Sequence, residues 1–121
     1  MPPKPYLRPS HPDDNPAIAA IIRSVMTSYG AVGPGFSIED AEVDEMHQTY
    51  DTPQSLLLVV DDGAGRVIGC GGIAPLAEAE ADTCELKKMY FLPEARGLGL
   101  GRELMTTLEE AARNRGYRVV Y

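Results

Sequence analysis

Tryptophan is absent from this chain, and cysteine, histidine and phenylalanine appear only twice each in 121 residues. Cys70 and Cys84 lack the CxxC spacing of zinc or redox sites, so they read as two free, reduced, half-buried thiols of a cytoplasmic protein. His11 and His47 are too few and too far apart to suggest a metal site, and His47 reads as a surface residue. No apolar run approaches the length that spans a membrane. The N-terminus, MPPKPYLRPSHPDDNP, is polar and proline-rich, unlike a signal peptide. Positive charge is also scarce, with 11 Lys and Arg against 18 Asp and Glu and a net charge of −7. Nucleic acid and anionic membrane both need a clustered positive field, so neither is expected as a partner. A small anionic ligand needs only a local positive site.

What remains is ordinary globular material of one domain, 44% hydrophobic and 24% charged. Tyr6-Leu7-Arg8 reads as a short first strand. Asp13, Asp14 or Asn15 offers an N-cap with Pro16 in the first turn, and Ile18, Ile21, Ile22, Val25, Met26 and Tyr29 follow at helical spacing until Gly30. Residues 30–37, GAVGPGFS, are too glycine-rich for regular structure; they form either a plain connection or a mobile loop at a substrate entrance. A second helix is expected from Ser37, with Val43, Met46 and Tyr50 on its apolar side. Its acids form either a solvated face or a field for cationic substrates. Gln54 to Asp61 reads as a buried strand, DDGAG as a hairpin turn and RVIGCGGIAP as the returning strand; a loop then leads to a fourth strand, Thr83 to Leu92. Leu100, Leu104, Met105, Leu108, Ala111 and Ala112 mark a third helix, closed by Gly116, and Arg118 to Tyr121 begin another strand. The expected class is α/β or α+β: a mainly antiparallel sheet flanked by helices, with one parallel strand–helix–strand crossover at its end.

Between the fourth strand and the third helix lies FLPEARGLGLGREL, residues 91–104. Helix starts leave backbone N–H groups without intrahelical partners, and residues without side chains let a phosphate approach them. The dinucleotide pattern GxGxxG fails, because Arg102 and Leu104 stand where its third glycine belongs, and a Walker A GK[ST] is absent. The pattern present is Arg-x-x-Gly-x-Gly, on Arg96, Gly99 and Gly101.

With CELKKMYFLPEARGLGLGRELMTTLEEAARNRGY around that turn and the same element order upstream, the chain resembles the GCN5-related N-acetyltransferase (GNAT) superfamily over nearly its whole length. The resemblance implies an acyl-CoA N-acyltransferase. It would move an acetyl group from acetyl-CoA to a primary amine by direct transfer in a ternary complex, with no metal. It implies a pyrophosphate cradle at Arg96, Gly97, Leu98, Gly99, Leu100, Gly101 and Arg102, mostly through backbone N–H; Arg96 and Arg102 could equally serve surface solubility. It implies pairing of the pantetheine arm with the backbone of Met89, Tyr90 and Phe91, and an oxyanion-type donor near Met89. Glu85 matches the strand glutamate that takes the amine's proton in several members, partial burial beside Met89 and Phe91 raising its pKa, or it is a strand residue paired with Lys87 or Lys88. No tyrosine occupies the family's general-acid position. The acceptor is a small-molecule amine or a protein or peptide amine.

The family's pattern continues past its fifth strand with a helix and two more strands. The expectation is therefore a domain, residues 1–121, that is incomplete at its C-terminus or pairs as a homodimer through the exposed edge. The alternative reading of function is a non-catalytic acyl-CoA-binding or interaction module of the same fold.

Overall fold

The computed structural model describes residues 3–30, 41–77 and 79–121. Its elements are β1 (Tyr6–Pro9), α1 (Asn15–Ser28), α2 (Met46–Tyr50), β2 (Leu56–Asp61), β3 (Val67–Pro75), β4 (Thr83–Phe91), α3 (Leu100–Asn114) and β5 (Val119–Val120), with 3₁₀ turns at Pro12–Asp14, Ala41–Glu45 and Pro93–Ala95. The five strands form one sheet in chain order. The first three pairings are antiparallel and the last, β4 with β5, is parallel. This is the expected mixed sheet with one parallel crossover, β4–α3–β5.

Alternation along the strands divides two cores. Leu57, Val59, Val67 and Cys70 face α1 and the short segments 41–50, where Ile18, Ile22, Val43 and Met46 are fully buried. Leu58, Ile73 and Cys84 face the other way, against Leu104, Leu108 and Ala112 of α3. Both helices present apolar residues at i, i+3 and i+4 to the sheet, as the sequence pattern requires. Two expected core residues are outside it: Tyr29, just past the end of α1, is 75% exposed, and Met105 on α3 is 42% exposed. The cysteines are fully buried rather than half-buried, and burial pushes the Cys70 thiol up to about 12.

The ends of the helices explain their lengths. Gly30 takes a left-handed φ of 73° after α1. At the other end of the chain, the Gly116 N–H donates to Arg113 O at 3.1 Å and the Tyr117 N–H to Ala112 O at 3.0 Å, the paired bonds of a Schellman turn. Tyr117 then donates from its hydroxyl to Gln54 O at 2.8 Å, tying the end of α3 to the approach of β2.

The expected second helix differs. Ser37 and residues 31–37 of the glycine-rich loop lie outside the described residues. From Ala41 the chain forms a 3₁₀ turn and then a single α-helical turn, Met46–Tyr50, without a side-chain cap. Glu42, Asp44 and Glu45 in sequence favour neither a long helix nor its propagation. Strand β2 starts at Leu56, two residues later than expected, because residues 52–54 form a turn. No helix among the described residues is long and apolar enough to cross a membrane.

Candidate active site

The glycine turn leaves β4 through Leu92 and the 3₁₀ turn Pro93–Ala95 and enters α3 at Leu100. Gly97 and Gly99 have φ of 78° and 75°, the left-handed region that a side chain strains to occupy. These two residues swing the chain so that α3 starts with its N-terminus at the surface. Glu103, donating to Gly99 O at 3.1 Å, makes the first bond of the helix. The N–H groups of residues 97–102 have no backbone acceptor among the described residues. Residues 96–99 and 102 are exposed, so this row of donors faces outward.

Gly101 is different. It lies inside α3 with no positive φ, and a Cβ built on it would meet only Phe91 Cε2 at 3.8 Å and Cζ at 3.9 Å, ordinary contact. The fold therefore gives no reason for glycine at this position, where alanine would favour the helix.

Arg96 has a role that neither sequence reading anticipated. Its Nε and Nη2 both donate to Phe91 O, at 3.2 and 2.9 Å, strapping the turn to the last residue of β4. Arg102 is exposed and has no partner among the described residues.

Strand β4 carries a second irregularity. Tyr90 stands opposite Cys70 and Lys87 opposite Gly72, so Lys88 and Met89 together face Gly71. Lys88 has a φ of 58°, the only positive φ outside glycine among the described residues. This is a β-bulge, which leaves one residue unpaired and turns its neighbours. Met89 and Phe91 pack toward α3, and Tyr90 toward α1. On the outer edge, β5 pairs with Thr83 and Cys84, and Leu86 donates to Tyr121 O at 2.8 Å.

Glu85 stands opposite Ala74, which packs with the α1 core. Met89 and Phe91 belong to the α3 side, so they do not form the apolar surroundings expected for Glu85. Its neighbours are charged: Lys87 Nζ lies 3.4 Å from its Oε1. Tyr50, buried in the same face, has its hydroxyl pKa pushed well above the usual range, by burial first and then by the charges of Glu42 and Glu85. It stays protonated. Among the other tyrosines, Tyr117 donates its hydroxyl to Gln54 O and Tyr121 is exposed.

His47 is less superficial than expected. Its side chain is 18% exposed, and its Nδ1 lies 2.8 Å from Ser10 Oγ while its backbone N–H donates to Asn15 Oδ1 at 2.9 Å. It fastens α2 to the ends of β1 and α1. A concavity of about 170 Å³ beside it, and another of about 310 Å³ along α1, are lined by neither Glu85 nor residues 96–102. The glycine turn is an open surface.

Comparison with known proteins identifies the family and the fold. Residues 18–121 match the acetyltransferase (GNAT) family. The chain is 44% identical over 121 residues to an uncharacterized N-acetyltransferase, YjgM, of Escherichia coli (strain K12), a match that covers 99% of the chain and 72% of that protein. Among solved structures, yncA from Salmonella typhimurium, determined with its cofactor acetyl-CoA, shares the fold with a TM-score of 0.80 at 22% identity, over 97% of this chain and 68% of its own. The ribosomal-protein-alanine N-acetyltransferase of Brucella melitensis superposes with a TM-score of 0.76 at 27% identity, covering 95% of this chain and 71% of its own. The chain belongs to the GNAT family of acetyltransferases.

Proposed function

We propose that this acetyltransferase moves an acetyl group from acetyl-CoA to a primary amine, by direct transfer while both are bound. The observation that carries the cofactor is the row of N–H groups at residues 97–102, without acceptors among the described residues, around a Gly101 that the fold itself does not require. Such a row, at the positive end of a 15-residue helix, suits a pyrophosphate. Arg96 holds the turn in shape, and Arg102 is free to add a charge. When bound, acetyl-CoA supplies an activated acyl group as a thioester.

The strand supports the rest. The bulge interrupts the ladder between β4 and β3 at Lys88 and Met89, and β5 pairs only with the start of β4, at Thr83 and Cys84. The backbone of residues 89–91 would pair with the pantetheine arm, and the N–H near Met89 would stabilise negative charge on the carbonyl oxygen. An alkylammonium has a pKa of about 10.4, so the acceptor must lose a proton near neutral pH. Glu85, two-thirds buried on the face toward α1 and α2, is the group proposed to take it, directly or through water. Its Oε1 lies 3.4 Å from Lys87 Nζ, which holds the carboxylate in place on this face.

Calorimetry with acetyl-CoA, followed by measurement of CoA release with a panel of amines, tests the reading. Saturable acetyl-CoA binding with amine-dependent CoA release is expected. A folded protein that does not bind acetyl-CoA would refute it.

A further inference from the structure

Lys88 is the residue that the bulge re-aims. Normal alternation would send it to the side opposite Lys87, but its Nζ instead lies 3.5 Å from Oε1 of Glu42, in the segment packed with α1. Its side chain is only 9% exposed. A lysine so deeply set in a left-handed backbone position costs both solvation and strain, and such arrangements gather at functional sites. The ion pair does not account for it. A charge-assisted N–H···O bond is about 2.7–2.9 Å long, and 3.5 Å is a loose contact.

The ammonium has donors to spare. Among the described residues no enclosed side-chain N or O atom lacks a hydrogen-bond partner. Among these residues the one contact of Lys88 Nζ is with Glu42, so its head reaches an opening while its stem is buried. Glu42 is 43% exposed and can turn away into water at little cost. Among the described residues, the elements packed here also carry Glu85 and Lys87, already paired at 3.4 Å, and Asp44, paired with Arg23 of α1 at 2.7 Å, beside the protonated Tyr50.

We infer that Lys88 binds a carboxylate on the acceptor, so that the acceptor is a small zwitterion of the free amino-acid type. The inference rests on the reading of Glu85 as the base. Glu85 and Lys88 are three residues apart on one strand, roughly 7–10 Å at ~3.3 Å per residue. A molecule whose amine and carboxylate are a few ångströms apart can then offer its amine to Glu85 and its carboxylate to Lys88. The incoming carboxylate takes Glu42's place as the partner of the ammonium.

The test measures CoA release by the full chain with acetyl-CoA and free L-amino acids, each against its C-terminal amide, which lacks the negative charge. At least one acid should exceed its amide tenfold in kcat/KM. Lys88→Met should bring that ratio near one, chiefly through a higher KM for the acid. Glu42→Gln, which removes the competing carboxylate and leaves Lys88 in place, should lower the KM of the acid. Equal use of acid and amide by the unaltered protein overturns the inference, as does a Glu42→Gln protein with a raised KM. Failure to bind acetyl-CoA overturns the cradle and this inference with it. Acetyl-CoA binding without a preference for the acid overturns this inference alone.

Discussion

The guanidinium of Arg96 donates two hydrogen bonds to the carbonyl of Phe91, at 2.9 and 3.2 Å, across a five-residue span that contains the whole exit from β4. The pair fixes the angle at which the glycine turn leaves the sheet. Arg96→Ala should therefore fold and yet bind acetyl-CoA about tenfold more weakly, roughly 1.4 kcal/mol. Arg96→Lys should recover only part of this, since an ammonium lacks the planar fork. Calorimetry decides it, and unchanged affinity in Arg96→Ala would mean that the turn keeps its shape unaided.

Glu85→Gln preserves size and hydrogen bonding and removes the proton acceptor. Near neutral pH, kcat should fall by about 10²-fold or more, the usual contribution of a positioned base. The deficit should shrink as pH rises and free amine accumulates. A pH–rate profile parallel to that of the unaltered protein would leave Glu85 with its ion pair to Lys87 as its whole role.

A prediction about stability comes from the opposite edge of the sheet. Arg8 is forked between Asp14, at 2.8 Å, and Asp61, at 3.2 Å. Burial acts to raise both carboxyl pKa values, but Arg8 and backbone N–H groups, of His11 for Asp14 and of Gly63 for Asp61, outweigh it and hold them below 3.8. Carboxyls depressed in the folded state take up protons more readily when unfolded. Their stabilisation is thus complete above about pH 5 and is lost as pH falls through the folded-state values. Arg8→Ala should cost about 2–3 kcal/mol at pH 7, with the backbone N–H groups limiting the loss. Urea denaturation at pH 7 and at pH 3 should show the difference between the two proteins narrowing in acid.

These two regions differ in how far the sequence alone discloses them. The glycine turn was legible because its signals are local: a strand, a proline, three glycines and an amphipathic helix follow one another within residues 83–114. The α1 and α3 faces were legible for the same reason, apart from Tyr29 and Met105, which sit at the edges of their stripes. The bulge at Lys88 was not. It depends on the register between β4 and β3, where Gly71 has room for no side chain because a Cβ would lie 2.8 Å from Leu104 Cδ2. Neither β4 nor Gly71 carries that information by itself. The fork at Arg8 is as hidden, since Asp61 is 53 residues away. The placing of Glu85 against Met89 and Phe91 failed because simple alternation was read through a strand that does not alternate.

The most direct measurement of the central claim uses Gly101. The backbone there is unstrained and the added methyl group would touch Phe91 at ordinary distances, so Gly101→Ala should stabilise the fold slightly, by up to about 1 kcal/mol. If the missing side chain exists to admit a pyrophosphate, the same substitution should weaken acetyl-CoA binding by tenfold or more. Denaturation and calorimetry on this one variant give both numbers. A protein that is at least as stable and binds at least tenfold more weakly is the predicted result; a variant of undiminished affinity would contradict the cradle.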